Sequence, residues 1–396
     1  DFAKELIERG YNVTIFSSGF THHNNTDILD QNENYRIEKM EGVRFVWIKT
    51  IHYKKNNIKR ILNMLSYTIK AYFTPKKLKF ESPDIVIGSS VHLFACLTAY
   101  HISKKYNAKF LLEIRDLWPE TLINMGKIKK NSFIAKMFYF IEKYLYKKAE
   151  DIIVLLPGAV NYINSREIGK EKIHYIPNGV DINFFDKNKE KYDLPENMNQ
   201  LDNKDSFKII YTGAHGIANK LDIIIEAAAN LEGKYKDIEF YFVGEGTEKS
   251  HLKSLAKEYN LDNIEFFDSV NKNYIPTILS KADVLIVTMD DLKIYKYGIS
   301  LNKLFDYFAS KKPVIFSGDV LNDIIKEANA GIIVPPLKPH KLTEAIIRLY
   351  KISKAKRKQL GINGRKYVED KHNISVLVDK LEKFARRICD KGQKLI

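Results

Sequence analysis

Apolar residues follow two alternating rhythms along this chain. Short runs at 11–16, 43–48, 84–90, 109–114 and 151–156 are largely apolar, as buried strands are. Between them, as at 134–148, apolar residues return every third or fourth position, as on one face of a helix. The alternation restarts with runs at 208–212, 238–243, 264–267, 284–287, 314–316 and 331–334, and helices begin near Leu221, Glu248, Tyr274, Leu301 and Asn322. Strands separated by helices predict parallel sheets. Two such series in 396 residues predict an α/β chain of two Rossmann-like domains. A strand near 173–176 ends in Pro177-Asn178-Gly179, a natural crossing between domains.

We therefore place a first domain at 1–175, a second at 176–372 and a terminal helix at 373–396. Leu377, Leu381, Phe384 and Ile388 lie at helical spacing in that helix, which suits a return to the first domain. Residues 186–206 are polar and read as a loop. The chain opens on a helical pattern with Phe2, Leu6 and Ile7 inward, so a preceding strand and its loop are expected to be missing.

The segment 53–80 breaks the pattern. Between Lys54 and Phe80 there is no acid, while Lys54, Lys55, Lys59, Arg60, Lys70, Lys76, Lys77 and Lys79 are basic. Ile58, Ile61, Leu62, Leu65, Ile69 and Tyr72 form one apolar stripe along it. Such a helix suits an anionic membrane surface, or equally a core contact with a solvated basic face. The whole chain has 64 Lys+Arg against 49 Asp+Glu, a net charge of +15, which favours anionic partners. No basic–aromatic module points to nucleic acid. Cys96 and Cys389 have neither metal nor disulfide spacing, and His22-His23-Asn24-Asn25 reads as a polar loop, not a metal pair. No metal is expected.

Candidate chemistry gathers after the strands, where ligands bind in open α/β sheets. In the first domain Ser89, Ser90 and His92 follow one strand, and Arg115, Asp116 and Glu120 follow the next. In the second, Gly213-Ala214-His215-Gly216 with Lys220, then Gly244-Glu245-Gly246, then Val270, follow three strands. The stretch 295–314 follows the fourth. It holds a glycine turn at Gly298, then Ser300, and a helix whose polar side carries Asn302, Lys303 and Asp306. A helix amino end favours anions, Lys303 adds charge there, and Asp306 is placed to accept sugar hydroxyls. A nucleotide-sugar site is the reading. The sequence holds no GxxxxGK[ST], CxxC, HExxH or GxSxG pattern.

Taken together, IGSSVH, EIRDLWPE, LLPGA, IPNGVD, GAHG, VGEG, YGISLNKLFDY with KKPV, and ANAGIIVPP resemble glycosyltransferase family 4. These are the retaining group 1 enzymes of GT-B fold, and the likeness is greatest to a surface-polysaccharide branch such as N-acetyl-L-fucosamine transferases. The resemblance covers essentially the whole chain. It implies two Rossmann-like domains facing across a cleft, with the terminal helix crossing back. Asp306 then matches the second acid of the family's Glu-x7-Glu motif, which bonds the donor ribose, and Gly298 stands where the first would be. Arg115 and Asp116 take the place of a His-Asp pair near the reacting sugar. Ala214 and Asn219 replace the basic pair that clamps the diphosphate, which leaves Lys220 and Lys303 for that charge.

The resemblance implies retaining transfer of a sugar, from a donor that is UDP-linked by analogy, to a lipid-linked glycan of O-antigen or capsule. No cofactor or metal takes part, and the protein would lie at the inner face of the cell membrane. Two other readings share the architecture: a non-hydrolysing nucleotide-sugar 2-epimerase and a non-catalytic partner subunit.

Overall fold

The computed structural model describes residues 1–21, 26–53, 58–78 and 80–390. The chain divides into two compact units, 1–177 with 377–396, and 178–376. It thus leaves the first unit after Pro177 and returns to it at Leu377, not after 175 and 372.

The first unit begins with helix α1 (Phe2–Glu8), strand β1 (Thr14–Ser18), a small hairpin β2 (Phe20–Thr21) and β3 (Thr26–Asp27), then β4 (Tyr35–Met40) and β5 (Val43–Ile48). Strands β1 and β5 pair in parallel, and β4 adds to β5 antiparallel. The hairpin closes at Glu41-Gly42, both at positive φ, which matches the twist of the two strands. Only β5 of that hairpin was expected, because the YRIEKM of β4 is too polar to read as a strand. Next come α2 (Ile58–Lys77), β6 (Ile85–Ser89), α3 (Leu93–Lys105), β7 (Lys109–Ile114), α4 (Glu120–Asn124), α5 (Phe133–Lys148), β8 (Asp151–Val154), α6 (Ala159–Asn164) and β9 (Ile173–Tyr175). Strands β6 to β9 form a parallel sheet in chain order.

Helix α2 turns most of its stripe outward. Ile61, Leu62, Leu65 and Ile69 are exposed, Ile69 at 60%, as is Phe73 beside the stripe, while Tyr72 is half-buried. The helix packs instead through Ala71 and Thr74, both buried, and through Tyr67, whose hydroxyl donates to Phe16 O at 2.9 Å. The His22–Asn25 run, Lys54, Lys55 and Lys79 lie outside the described residues.

The second unit holds α7 (Ile182–Lys191), β10 (Phe207–Thr212), α8 (Asp222–Ala229), β11 (Ile238–Val243), α9 (Lys249–Glu258), β12 (Ile264–Phe267), α10 (Ile275–Ser280), β13 (Val284–Thr288), α11 (Asn302–Ala309), β14 (Val314–Ser317), α12 (Ile324–Glu327), β15 (Gly331–Val334), α13 (Pro339–Lys351) and α14 (Lys354–Lys371). Its six strands form one parallel sheet, β12-β11-β10-β13-β14-β15. Successive strand residues feed two cores, one on each face: Ile210, Leu285 and Phe316 on one, Ile209, Ile286 and Ile315 on the other. Burial on both faces is why these runs are continuously apolar.

The expected loop at 186–206 is largely structured. Asp181 caps α7 by accepting from Phe184 N–H at 2.9 Å, and a 3-10 stretch at 196–202 buries Met198 and Leu201 in the core. Two apolar anchors among many polar residues escape a period search. The last helix, α15 (Ile374–Asp390), buries Leu377, Leu381, Phe384 and Ile388 against Leu111, Ile153 and Ile176 of the first unit. Replacing Leu377 by Ala should lower stability by about 2–5 kcal/mol, the range for a buried leucine. An unchanged urea midpoint in that variant would show that the helix is not held by this face.

Candidate functional site

Strand order in the six-stranded sheet reverses between β10 and β13. Ligands bind beyond the carboxyl ends of strands at such a reversal. The loops after β10 and β11 run there with their backbones in contact. Gly213 N–H donates to Val243 O at 2.9 Å and His215 N–H to Glu245 O at 2.8 Å. A Cβ on Gly244 would lie 2.0 Å from Gly213 O, and one on Gly246 2.2 Å from His215 O, so the approach requires glycine at both. The first loop also closes on itself: Asn219 donates to Ala214 O at 2.9 Å, and the Thr288 hydroxyl at the end of β13 donates to Asn219 O at 2.5 Å.

Helix α11 is docked onto the end of β10 by two side chains. The buried Tyr307 hydroxyl accepts Thr212 N–H at 2.7 Å. One turn earlier Lys303 Nζ donates to the Tyr211 hydroxyl at 2.6 Å and lies 4.2 Å from the centre of that ring. It reaches the Gly213 Cα so closely that a Cβ there would sit 2.9 Å from Nζ. No carboxylate among the described residues pairs with Lys303, and burial pushes its ammonium down to about 7. The sequence expected a cation in the loop of β10; the structure brings one to that loop from α11.

The turn before α11 is fixed by two asparagines. Asn322 receives Ile299 N–H at 2.7 Å and donates to Ile299 O at 2.8 Å. Asn178 donates through its backbone to the Ser300 hydroxyl and through its amide to Ser300 O, both at 2.8 Å. Ser300 is thus engaged in holding its own loop. Gly298 sits at φ 96°, ψ −179°, a region almost closed to other residues. With the turn held, the first N–H groups of α11 have no intrahelical partner and stand beside Lys303. Asp306 follows on the same helix, half-buried and without a hydrogen-bond partner among the described residues. Burial pushes its carboxyl up to about 6, against the pull of Lys272.

His215 is fully buried among Tyr211, Phe242 and Phe266, and neither ring nitrogen has a partner among the described residues. Burial, with Lys249 and Lys303 nearby, holds it down to about 4, so it is neutral. Glu245 is tied to Lys249 at 2.6 Å, which also reaches Asp268 at 2.5 Å, and Val270 packs on the core beneath. Asn302 is exposed at the start of α11. Lys220 occupies a left-handed corner of its loop, its carbonyl accepting from Thr288 at 3.1 Å.

In the first unit, Ser90 is buried and accepts Arg115 N–H at 2.9 Å, which ties the ends of β6 and β7, while Ser89 ends β6. Arg115 leans towards Glu113 at 3.5 Å. Burial of its carboxyl raises Asp116, with Arg115 opposing. His92 caps α3 by accepting Ala95 N–H at Nδ1, which places its proton on Nε2. Burial and Arg60 hold it down to about 4, so it offers a neutral donor. Glu120 accepts from the Tyr139 hydroxyl at 2.7 Å. Tyr211, Tyr307, Asn178, Asn322 and Tyr139 were not singled out from sequence; only the IPNGVD turn marked one of them.

Folded Lys303 releases its proton near pH 7, whereas an unfolded lysine keeps it to about 10.4. Between these limits the unfolded chain binds more protons, so this group makes stability rise with pH across that window. Lys303→Met should remove that rise and be more stable than the natural chain at pH 6, by urea unfolding at pH 6 and pH 9. An unaltered pH slope would refute the buried, unpaired ammonium.

Residues 1–184 match the sequence model of Glycosyltransferase Family 4, and residues 194–367 match that of Glycosyl transferases group 1. Over 263 residues the chain is 26% identical to the putative colanic acid biosynthesis glycosyl transferase WcaI of Escherichia coli, a match spanning 64% of each chain. It is 22% identical over 348 residues to the probable glycosyltransferase WbjE of Pseudomonas aeruginosa, covering 84% of this chain and 82% of that one. Among solved structures, sucrose-phosphate synthase from Thermosynechococcus elongatus superposes with a TM-score of 0.74 at 19% identity, over 98% of this chain and 92% of that one. HepE of Anabaena in complex with UDP-glucose superposes with 0.64 at 12% identity, over 88% and 87%. The fold is GT-B. The chain consists of a Glycosyltransferase Family 4 domain followed by a Glycosyl transferases group 1 domain.

Proposed function

We propose that this protein transfers a sugar, with retention at the anomeric carbon, from a UDP-sugar to a lipid-linked saccharide in bacterial surface polysaccharide synthesis. The observation that carries the reading is Lys303: a buried ammonium with no carboxylate partner among the described residues, in the first turn of α11 and at the strand-order reversal. A cation held there without a counterion awaits an anion, and a nucleotide diphosphate supplies one. The colanic acid name of the Escherichia coli relative and the UDP-glucose bound by HepE point the same way.

In this scheme the bond between the anomeric carbon and the diphosphate oxygen breaks, and the acceptor oxygen bonds to that carbon from the same face. The acceptor proton passes to the departing phosphate oxygen. Lys303 and the first N–H groups of α11 stabilise the charge that grows on the diphosphate. Asp306 takes hydroxyl hydrogen bonds from the donor ribose. Arg115, Asp116, His92 and Glu120 address the reacting sugar and the acceptor. The scheme calls on no metal.

The acceptor's lipid calls for a membrane surface, and α2 is suited to one. Its exposed Ile61, Leu62, Leu65, Ile69 and Phe73 offer an apolar face on a helix that carries only basic charges. No helix among the described residues is long and apolar enough to cross a membrane.

Lys303→Ala should slow turnover of a UDP-sugar by about 2–4 kcal/mol of barrier, the size of one lost charge-stabilising donor. Rates near those of the unaltered chain would remove Lys303 from the mechanism. The pair Ile69→Asp and Phe73→Asp should abolish sedimentation with vesicles rich in anionic lipid. Equal recovery of the natural chain with neutral and anionic vesicles, or undiminished sedimentation after substitution, would sink the membrane assignment.

A further inference from the structure

A second polar site lies at the carboxyl ends of β1 and β5 in the first unit, apart from every residue considered so far. Asp27 there is nearly buried, its side chain 7% exposed. Its carboxylate accepts Leu29 N–H at 3.0 Å and faces Lys49 at 3.4 Å, and these contacts with His52 hold it below the usual carboxylate range against the effect of burial. His52 Nε2 lies 2.5 Å from Asp27 Oδ2. The imidazole also stacks on the buried Phe20, with ring centres 5.0 Å apart and planes at 22°. An ionised carboxylate only accepts, so Nε2 carries the proton and Nδ1 is left as the outward atom. His52 is 53% exposed, and Nδ1 has no partner among the described residues. Leu29 and Lys49 already satisfy Asp27, so pairing that carboxylate does not require the imidazole. The arrangement is that of a ring oriented from behind by a fixed carboxylate, as in hydrolytic triads.

The segment carrying His52 is itself fastened to α2. Asn63 donates to the Thr50 hydroxyl at 2.9 Å and to Ile51 O at 2.6 Å, and Ser66 accepts Ile51 N–H at 3.1 Å. Thr50 in turn bonds the Ser18 hydroxyl at the end of β1, at 2.8 Å. His52 therefore rides on the helix that presents the exposed apolar face, at the edge of the sheet where ligands bind. Lys49 lies behind the pair, facing Asp27.

We infer that His52, oriented by Asp27, binds a phosphate of the lipid carrier that bears the acceptor saccharide. The inference rests on the lipid-linked acceptor proposed above. A phosphate at the head of a membrane lipid lies at the depth of an interfacial helix, which is where α2 holds this ring. A phosphate that links a lipid to a sugar is esterified on both sides and stays anionic, so the ring takes up a proton from water at Nδ1 and donates it to a phosphate oxygen. The resulting bridge, carboxylate to imidazole to phosphate, is charge-assisted at both ends.

The full chain should be titrated calorimetrically with geranyl diphosphate, a soluble prenyl diphosphate, and separately sedimented with phosphatidylglycerol vesicles. His52→Gln should weaken geranyl diphosphate binding about tenfold or more, as expected for a lost hydrogen bond to a charged group. Asp27→Asn should do the same, and His52→Lys should restore most of the affinity. Affinity for UDP should be unchanged in all three, and a circular-dichroism spectrum and urea midpoint like those of the natural chain separate loss of the site from loss of the fold in the first unit. Equal geranyl diphosphate affinity in the natural chain and His52→Gln would overturn the inference. A defect confined to vesicle binding would assign the phosphate to bilayer headgroups and equally overturn the carrier assignment. His52-dependent diphosphate binding without any sugar transfer would sink the proposed function and leave this site standing. Sugar transfer with an unchanged acceptor KM in His52→Gln would do the reverse.

Discussion

The second unit depends on how α11 meets the end of β10. Two hydroxyls make that joint, Tyr307 to Thr212 and Tyr211 to Lys303. The first satisfies a buried N–H that would otherwise be left without a partner, at about 1–3 kcal/mol. The second holds an ammonium in surroundings that disfavour its charge. One contact fixes the helix and the other uses that rigidity to keep an electrostatic imbalance at a chosen point. Without the Tyr307 joint, Lys303 would turn towards water and lose its tension. The loop of β10 depends on the same joint, since it is threaded between Lys303 and the glycines after β11.

Much of the fold was legible because the strands of the second unit are buried on both faces and read as apolar runs. The terminal helix was equally plain, since Leu377, Leu381, Phe384 and Ile388 share one face. Failures followed from chemistry that periodicity does not see. Strand β4 is largely exposed and carries Arg36, Glu38 and Lys39 on a surface hairpin, and 186–206 hides Met198 and Leu201 among polar neighbours. At the site, residue type located the helix end, Lys303 and Asp306. It did not locate the two asparagine clamps, because Asn178 lies 122 positions from Ser300 and Asn322 lies 23 from Ile299.

Helix α2 reverses the usual meaning of an apolar stripe. Its larger apolar residues face outward, and it rests on the domain through small and hydroxylated ones, Ala71 and Thr74 among them. An exposed apolar face of that length on a monomeric domain marks an interaction surface. The segment before the helix is stapled to it, so whatever α2 touches is registered at the edge of the first unit's sheet.

Gly298 sets a limit on redesign. Its backbone, at φ 96° and ψ −179°, is reached comfortably only without a Cβ, and Asn322 and Asn178 hold the neighbouring residues in place. A side chain added at this position would meet a backbone that the two clamps keep from relaxing, so one substitution would strain the turn and disturb the entry to α11. Any reshaping of this pocket is easier at positions outside the clamped turn.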